Sequence, residues 1–428
     1  METEYLKIAE QVTKYKTVQN LMSSVNKETL QRAHTRQSKK KAAGIDKVTK
    51  TEYEENLDEN LENLIARMKK FSYKPLPVRR TYIPKVGSDK MRPLGIPAYE
   101  DKLVQGVMAN VLTIIYEAKF KDFSYGFRPR RDCHKAMKAM GEVIITKKIN
   151  YVVDVDIKGF FDNVNHDWLI KFLEHDIEDK NFIRYVKRFL KAGIMEEGKY
   201  LESDKGTPQG GLISPILANV YLHYVLDLWF EKKIGQKFKG EAHMVRFADD
   251  FVCCFQYENE AKKFFDMLKK RLAKFGLEIA EEKSKIIRFG RFAKQNGSKE
   301  TFDFVGFTHI NATSRKGKYI VRHQTSQKKM SAKIQIAKEW LKQNLHVEKC
   351  ELIRKLNQKL VGHYRYYGVT GNWRKIKAFM RHIRMMLFKV LNRRSQKRVI
   401  REKFEKFLQY NPLAVPKIYH SLWSKQGK

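Results

Sequence analysis

The amino-acid sequence predicts an α+β fold, with strands concentrated in the middle of the chain and helices toward both ends. Residues 151–157 place their apolar side chains on one face and two aspartates on the other, as a half-buried strand does. Residues 244–247 and 251–255 are two apolar runs separated by only three residues, which is typical of a hairpin. Beyond residue 325 the apolar residues recur with helical spacing.

The first part of the chain predicts helices around one basic hairpin. The predicted helices cover residues 1–40, 50–70 and 101–118. The hairpin has strands at 78–84 and 91–96, because a Val-Gly-Ser-Asp turn signal separates two strand-like runs.

The middle of the chain alternates predicted helices and strands. The predicted helices cover residues 167–192, 214–231 and 259–275, and Ser214 and Pro215 predict a cap and first turn for the second. Further strands are predicted near residues 285–289 and 302–308. Between the first two of these helices, residues 206–211 are predicted to form a glycine-rich turn.

The charge of the chain indicates a polyanionic partner. Lys and Arg number 86 against 48 Asp and Glu, which gives a net charge of +38. Residues 311–428 carry +25 of this excess and contain no Asp. Nucleic acid is the usual partner of such a surface, although a merely solvated basic surface is the alternative. The sequence contains no run of 18 or more apolar residues that could span a membrane, and its first residues contain no apolar signal core.

The four cysteines argue against a structural zinc site, because no two of them form a Cys-x-x-Cys pair. Cys253 and Cys254 lie in an apolar run and are predicted to be small core residues. This cysteine usage fits a reducing intracellular compartment.

Three aspartates predict a metal site. Asp249 and Asp250 are adjacent at the tip of the predicted hairpin, where neighbouring apolar strands would desolvate two like charges. Divalent cations such as Mg²⁺ relieve that cost, since they take oxygen ligands. Asp156, late on the predicted strand, supplies a third carboxylate, and such a set can hold two ions about 4 Å apart. Asp154 shares its face and is either a supporting group or a strand-edge carboxylate.

Three motifs then carry a family resemblance. They are VDVDIKGFFDNVNH at residues 153–166, GTPQGGLISP at 206–215 and FADD at 247–250. In this order and spacing they resemble the group II intron reverse transcriptase/maturase family, in the form that lacks the endonuclease domain. The family usually has Tyr at position 247, and Phe247 keeps the ring without the hydroxyl.

The resemblance implies the right-hand polymerase fold, with fingers, a palm built on an antiparallel sheet, and an α-helical thumb. The implied division is an N-terminal extension with fingers at 1–145, a palm at 146–310 with a finger-side helical insertion at about 167–205, a helical thumb or maturase domain at 311–392, and a basic C-terminal tail at 393–428.

The resemblance also assigns roles to individual residues. Asp156, Asp249 and Asp250 match the catalytic metal ligands, which implies two Mg²⁺ ions, with Mn²⁺ as a substitute. The residues that match the dNTP-binding positions are Arg79, Lys85, Arg92, Phe161, Gln209 and Lys283. Arg80 is an alternative to Arg79, and Lys283 is either near the departing pyrophosphate or simply solvated.

Phe161 matches the position below the incoming sugar, where a bulky ring would clash with a 2′-hydroxyl and so select dNTPs over rNTPs. One of Phe160 and Phe161 is expected to be a core residue instead. Phe161 is the residue that we expect at the nucleotide.

Two basic segments are expected to bind nucleic acid. Lys39, Lys40 and Lys41 precede a segment that resembles the family's template-clasping extension. Cations at helical spacing opposite an apolar stripe suit a phosphate backbone, and they are Arg374, Lys377, Arg381 and Arg384. Nearby aromatic residues either stack on bases or lie in the core, and they are Tyr364, Tyr366, Tyr367 and Trp373.

The function implied is that of an RNA-directed DNA polymerase that is encoded by a group II intron and binds intron RNA to promote splicing and retromobility. Its expected partners are an RNA template, a DNA or RNA primer, dNTPs and intron RNA, and its expected location is the bacterial cytoplasm at the nucleoid. We expect it not to cut the target strand. The alternatives are a domesticated relative in host repair or defence, and a catalytically silent RNA-binding splicing factor.

Overall fold

A computed structural model describes residues 3–84, 91–207, 210–394 and 399–422. It confirms the α+β class, because three β-sheets lie among helices drawn from the whole length of the chain. The strands are β1 Val78–Pro84, β2 Met91–Ile96, β3 Tyr151–Val155, β4 Ile194–Glu196, β5 Lys199–Leu201, β6 Ala242–Phe247, β7 Asp250–Phe255, β8 Lys285–Arg288, β9 Thr301–Phe304, β10 Phe307–Thr313 and β11 Tyr319–Thr325.

The helices of the first half are α1 Thr3–Lys14, α2 Lys27–Arg36, α3 Lys50–Glu55, α4 Leu57–Lys69, α5 Tyr99–Glu117, α6 Cys133–Thr146, α7 Phe160–Asn163, α8 His166–Asp176 and α9 Lys180–Leu190. Those of the second half are α10 Ser214–Leu222, α11 Gly235–Lys237, α12 Glu258–Ala273, α13 Arg291–Gln295, α14 Gln327–Gln343, α15 Lys349–Tyr367, α16 Trp373–Leu391 and α17 Arg401–Tyr410.

The central sheet has the strand order β6-β7-β3-β8 and is antiparallel throughout. It is buried on both faces, since Val153 and Val155 of β3 point into one hydrophobic core and Val152 into a second. The first core contains α5, α8, α9, α10 and α12, and the second contains α6, β9 to β11 and the C-terminal helices. Cys253 and Cys254 of β7 are fully buried and reduced, which confirms their prediction as core residues.

Two smaller sheets flank the central one. The predicted hairpin forms as β1 and β2, and β4 extends it by pairing in parallel with β1, so that the order is β2-β1-β4-β5. The third sheet has the order β11-β10-β9. None of the helices in the described part of the chain has the length and apolar character needed to cross a bilayer.

Several predicted helices are interrupted. The helix predicted at 1–40 is α1 and α2, because Asn26 caps α2 by accepting a hydrogen bond from the Thr29 N–H. The helix predicted from 214 to 231 leaves α-helical geometry at His223–Asp227, where one turn is π-helical. Ser214 is the first residue of α10 rather than its cap.

In the C-terminal part of the chain, strands and helices begin and end at other residues than the sequence pattern indicated. The boundary expected after residue 310 falls inside β10, and the helices begin only at Gln327. The segment predicted as a basic tail contains α17, whose Phe404 is buried against the ring of Phe388 with 5.1 Å between ring centroids. The segment therefore packs on the helical region as part of its core.

We expect Phe404→Ala to lower the free energy of unfolding by about 3–5 kcal/mol, because it opens a cavity under α17. Tyr410→Ala on the same helix should change it by less than about 0.5 kcal/mol, since Tyr410 is 77% exposed. Chemical denaturation of the two variants beside the wild type measures this. Equal stability of all three proteins would contradict the packing of α17.

Candidate active site

The sheet brings the three predicted aspartates to one edge. Asp250 pairs with Phe247 at the end of the β6–β7 hairpin, so Asp249 lies in the turn between these strands. On the other side of β7, Val155 of β3 pairs with Phe251 in antiparallel register. Asp156 directly follows β3, and the same register continued by one residue brings it beside Asp250.

A buried arginine holds the turn that carries Asp249. The guanidinium of Arg246 donates to both carboxylate oxygens of Asp227, at 2.8 Å and 2.5 Å, and all of these groups are fully buried. It also donates to the Asn219 side-chain oxygen and to the Ala248 carbonyl oxygen, both at 2.9 Å. Ala248 has a left-handed φ of 58°, a conformation that a non-glycine residue keeps only where its surroundings enforce it.

The Ser-Tyr-Gly segment at residues 124–126 lies against the same turn. The Tyr125 N–H donates to the Arg246 carbonyl at 2.8 Å, and the Asn219 amide donates to the Gly126 carbonyl at 2.7 Å. A Cβ atom on Gly126 would lie 2.2 Å from the Ala248 nitrogen, so only glycine fits. This motif therefore supports the turn structurally.

The carboxylates at this edge are held at an electrostatic cost. Burial, with the charges of Asp249 and Asp156, raises the pKa of Asp250 to about 7, although a hydrogen bond from the Val305 N–H opposes the shift. Burial and the charge of Asp156 also raise the pKa of Asp249. The pKa of Asp154 rises to about 7 through burial and the charge of Asp250, which places Asp154 beside the cluster.

This donor set fits a divalent cation. It consists of carboxylate oxygens, which Mg²⁺ prefers, and a bound cation would offset both the burial and the mutual repulsion of these charges. Within the described residues, no three His, Cys, Asp or Glu side chains are grouped tightly enough to form a metal cage by themselves. Mg²⁺ sites commonly retain waters and substrate phosphates in the remaining positions.

Lys283 lies at the same site. Its ammonium is 3.3 Å from Asp156 Oδ2, and both side chains are about half exposed, at 56% and 47%. The Asp156 N–H donates to the Ser284 hydroxyl oxygen at 3.1 Å, which ties the segment before β8 to the end of β3. Lys283 is thus a cation at the carboxylate edge that remains accessible from solvent.

Phe160 and Phe161 have different surroundings. Phe160 is buried in the first core, whereas Phe161 is half-buried and lines a pocket of about 410 Å³ beside Arg80, Gly95 and Thr207. The Thr207 N–H donates to the Phe161 carbonyl at 2.8 Å, so the glycine-rich segment packs on α7.

The glycine-rich segment also touches the β1–β2 hairpin. A Cβ atom on Gly210, which has a φ of +116°, would lie 2.4 Å from the Gly95 carbonyl oxygen of β2. Two main chains therefore meet here at a distance that only glycine permits.

The residues of the β1–β2 hairpin that were predicted to bind the dNTP have different surroundings. Arg79 donates from Nη2 to the Ala43 carbonyl at 2.7 Å, while Arg80, on the opposite face of β1, lines the Phe161 pocket. Arg92 is exposed, and its charge opposes the rise in the pKa of Asp249, as a cation near that carboxylate does. Lys85 and Gln209 lie outside the described residues.

The predicted N-terminal basic segment is exposed. Lys39 forms a salt bridge with Glu54 at 3.2 Å, Lys41 donates to the Gln37 side chain at 3.1 Å, and Lys40 is exposed between them. All three ammonium groups lie near the surface and can meet a polyanion.

The predicted basic face of α16 is present in part. Arg374, Lys377 and Arg381 are exposed. Arg384 forms an ion pair with Glu405 of α17, so its charge is already partnered within the protein. The sequence could not indicate this pair, because it depends on how α17 packs.

Of the four aromatic residues that were predicted either to stack on bases or to lie in the core, two are buried and two are exposed. Tyr364 and Tyr367 are buried in the second core, whereas Tyr366 and Trp373 are 37% and 46% exposed.

The sequence interpretation missed Arg246, Asp227 and Asn219. A signal for them existed, because an arginine inside an apolar strand and an aspartate inside an apolar helix both require buried partners. Their pairing depends on the fold and was not visible from spacing.

The family model described as "Reverse transcriptase (RNA-dependent DNA polymerase)" matches residues 83–309, slightly more than half of the chain. The group II intron-encoded protein LtrA of Lactococcus lactis subsp. cremoris is 35% identical over 263 residues, which cover 58% of this chain and 44% of that protein.

Two further relatives are similar over shorter regions. Protein YkfC of Escherichia coli is 34% identical over 49% of this chain and 62% of its own length. An uncharacterized 91 kDa protein in a cob intron of Schizosaccharomyces pombe is 38% identical over 42% of this chain and 22% of its own. The chain therefore spans less than two thirds of each of these relatives. These matches confirm the family resemblance that the motifs indicated.

We expect Asp250→Asn to stabilise the metal-free protein while abolishing its stabilisation by Mg²⁺. The Asp250 pKa is about 7 in the folded state against 3.8 ordinarily, so its ionisation costs stability as the pH rises between these values. Above pH 7, that shift amounts to roughly 4 kcal/mol, and Asn, which is neutral but still a buried polar group, should recover about 1–2 kcal/mol of it. Thermal unfolding with and without Mg²⁺ measures both effects.

The matched control is Asp266→Asn, which removes the same charge from an exposed position on α12. It should leave both the metal-free midpoint and the Mg²⁺ response unchanged. An Mg²⁺ response that survives in Asp250→Asn would remove Asp250 from the metal site.

Proposed function

The chain belongs to the reverse transcriptase (RNA-dependent DNA polymerase) family, and from this membership we propose that it copies an RNA template into DNA. The primer is DNA or RNA, and the substrates are dNTPs. We further propose that a group II intron encodes it, as the name of the relative LtrA suggests, and that it binds that intron's RNA to promote splicing and retromobility.

The observation that carries the proposal is the convergence of Asp156, Asp249 and Asp250 at one sheet edge. Their strands are paired in a register that sets Asp156 beside Asp250, and the pKa of Asp250 is raised to about 7. A set of carboxylates kept close together at such a cost is characteristic of a functional site. A chain that served only as a splicing factor would have no use for it.

Asp156, Asp249 and Asp250 hold two Mg²⁺ ions in this proposal. Bound there, the ions would activate a primer 3′-hydroxyl and neutralise the charge of the triphosphate and of the leaving pyrophosphate. Lys283, at 3.3 Å from Asp156, approaches the phosphates from one side of the edge. Arg92 approaches from the hairpin side, since its charge already reaches Asp249.

The Phe161 pocket receives the sugar of the incoming nucleotide. Phe161 forms its floor and excludes a 2′-hydroxyl by size. Arg80 lines this pocket, which makes it a better candidate for the nucleotide than Arg79, whose guanidinium is bound to Ala43. Lys85 and Gln209 are assigned to the nucleotide on the family resemblance.

In this proposal, the template and primer bind to the basic surfaces of the protein. The exposed cations of α16 bind a phosphate backbone through charge. Trp373, the first residue of α16, is available to stack on a base. Lys39, Lys40 and Lys41 bind the template at the other end of the chain. The division into extension with fingers, palm and thumb stays a prediction, as does a cytoplasmic, nucleoid-associated location.

We expect the purified chain to extend a primer on an RNA template with Mg²⁺ and dNTPs. Asp249→Ala/Asp250→Ala should lower the rate roughly a hundredfold or more, because it removes two of three metal ligands. Gel-resolved primer extension measures this, with RNA binding by both proteins as the control for folding. Tight RNA binding by a wild-type chain that extends nothing would favour a silent splicing factor.

We expect Phe161→Ala to improve the use of rNTPs relative to dNTPs by about ten- to a hundredfold, because the smaller side chain admits a 2′-hydroxyl. Phe161→Tyr keeps the ring and should discriminate as the wild type does. Single-nucleotide incorporation with matched dNTP and rNTP gives the ratio of kcat/KM values. An unchanged ratio in Phe161→Ala would place the sugar elsewhere.

A further inference from the structure

The two-residue turn between β9 and β10 has an unusual residue in its first position. Phe304 and Phe307 are the last paired residues of the two strands, and Val305 and Gly306 join them with φ values of +44° and +83°. Turns with both residues left-handed favour Asn-Gly, because β-branched side chains are strained there. A valine persists in this conformation only where surrounding contacts enforce it.

Two contacts hold Val305, and each comes from a different part of the molecule. Its N–H donates to Asp250 Oδ2 at 3.3 Å. Its carbonyl oxygen accepts a hydrogen bond from the Tyr366 hydroxyl at 2.9 Å. One strained residue therefore joins a carboxylate of the metal site to the last turn of α15.

Tyr366 is itself held firmly. Its ring lies nearly parallel to that of Phe307, with 5.8 Å between centroids and 19° between planes. Its carbonyl is 2.7 Å from Nε2 of His134, at the start of α6. Burial and the neighbouring Cys133 thiol raise the pKa of its hydroxyl, and the charge of Asp250 also contributes. The hydroxyl therefore remains protonated and available as a donor at neutral pH.

We propose that Tyr366 is a positioning residue for the metal site, acting on Asp250 through the main chain of Val305. The Tyr366 hydroxyl fixes the Val305 carbonyl, and the rigid turn then aims the Val305 N–H at Asp250 Oδ2. The bond orients the Asp250 carboxylate for a bound cation. The orientation of Asp250 is in this way set by the end of α15.

The inference depends on Asp250 being a metal ligand, which is part of the proposed function, but it does not depend on polymerisation. It also makes no use of the exposed part of the Tyr366 ring, which is free to contact nucleic acid. Tyr366→Phe separates these roles, because it removes the hydroxyl and keeps the ring.

The test is Mn²⁺ binding to the full-length protein, measured by electron paramagnetic resonance titration. Tyr366→Phe should weaken binding about three- to tenfold, the loss expected for one hydrogen bond. Tyr364→Phe is the matched control, because its buried hydroxyl has no hydrogen-bond partner among the described residues. That variant should bind Mn²⁺ within twofold of the wild type.

A second variant tests whether the main chain transmits the effect. Val305→Asn places a residue that tolerates left-handed φ in the turn and retains both main-chain hydrogen bonds. Its Mn²⁺ affinity should equal that of the wild type, and its thermal midpoint should be equal or higher. A loss of affinity as large as that of Tyr366→Phe would overturn the main-chain route.

Wild-type Mn²⁺ affinity in Tyr366→Phe, or an equal loss in Tyr364→Phe, would overturn the proposal. Primer extension supplies the second measurement. Tyr366→Phe should raise the Mg²⁺ concentration for half-maximal rate by a factor similar to the Mn²⁺ loss, with little change in the KM for dNTP at saturating Mg²⁺. If no variant extends a primer yet Tyr366→Phe binds Mn²⁺ weakly, the positioning role stands and the polymerase function fails.

Discussion

The buried ion pair between Arg246 and Asp227 is the interaction on which the site depends. Both groups are fully removed from solvent, and taking two charges out of water is costly unless every donor and acceptor is matched. Here Asn219 and the Ala248 carbonyl complete the set. Removing one partner of such a pair typically costs about 3–5 kcal/mol. The pair joins the π-helical turn after α10 to the hairpin tip, and so determines where Asp249 points.

Around this pair, the site combines firm support with unfavourable charge. Ala248 and Val305 both have left-handed φ values, and both are held by side chains: the Ala248 carbonyl accepts from Arg246, and Val305 bonds to Asp250 and Tyr366. Asp249 and Asp250, in contrast, are crowded with like charges. Among the described residues, Asp156 is the member of the three that forms a salt bridge, with Lys283. The fold stabilises the backbone and leaves the carboxylates for a cation.

Much of this arrangement could be predicted from the sequence, and the failures have physical causes. The period of two in β3 and the apolar runs around Asp249 follow from local patterning, so the strands and the aspartates at their ends were predictable. Which of Arg79 and Arg80 faces the pocket depends on the register of β1 against β2 and β4. Arg384 was assigned to a free basic face because its partner, Glu405, lies 21 residues away on a helix predicted to be tail. Contacts between distant segments leave no local period.

The parallel pairing of β1 with β4 has a consequence for how the chain folds. Val78 pairs with Ile194, so one edge of β1 stays unpaired until β4, more than a hundred residues later in the chain, has been synthesised. Pairings between such distant segments form slowly, and an open strand edge is a site of aggregation in the meantime. Arg79 and Arg80 near the start of β1 place charge on that edge, which discourages premature association between nascent chains. The same arginines are thus of use to the protein before any active site exists.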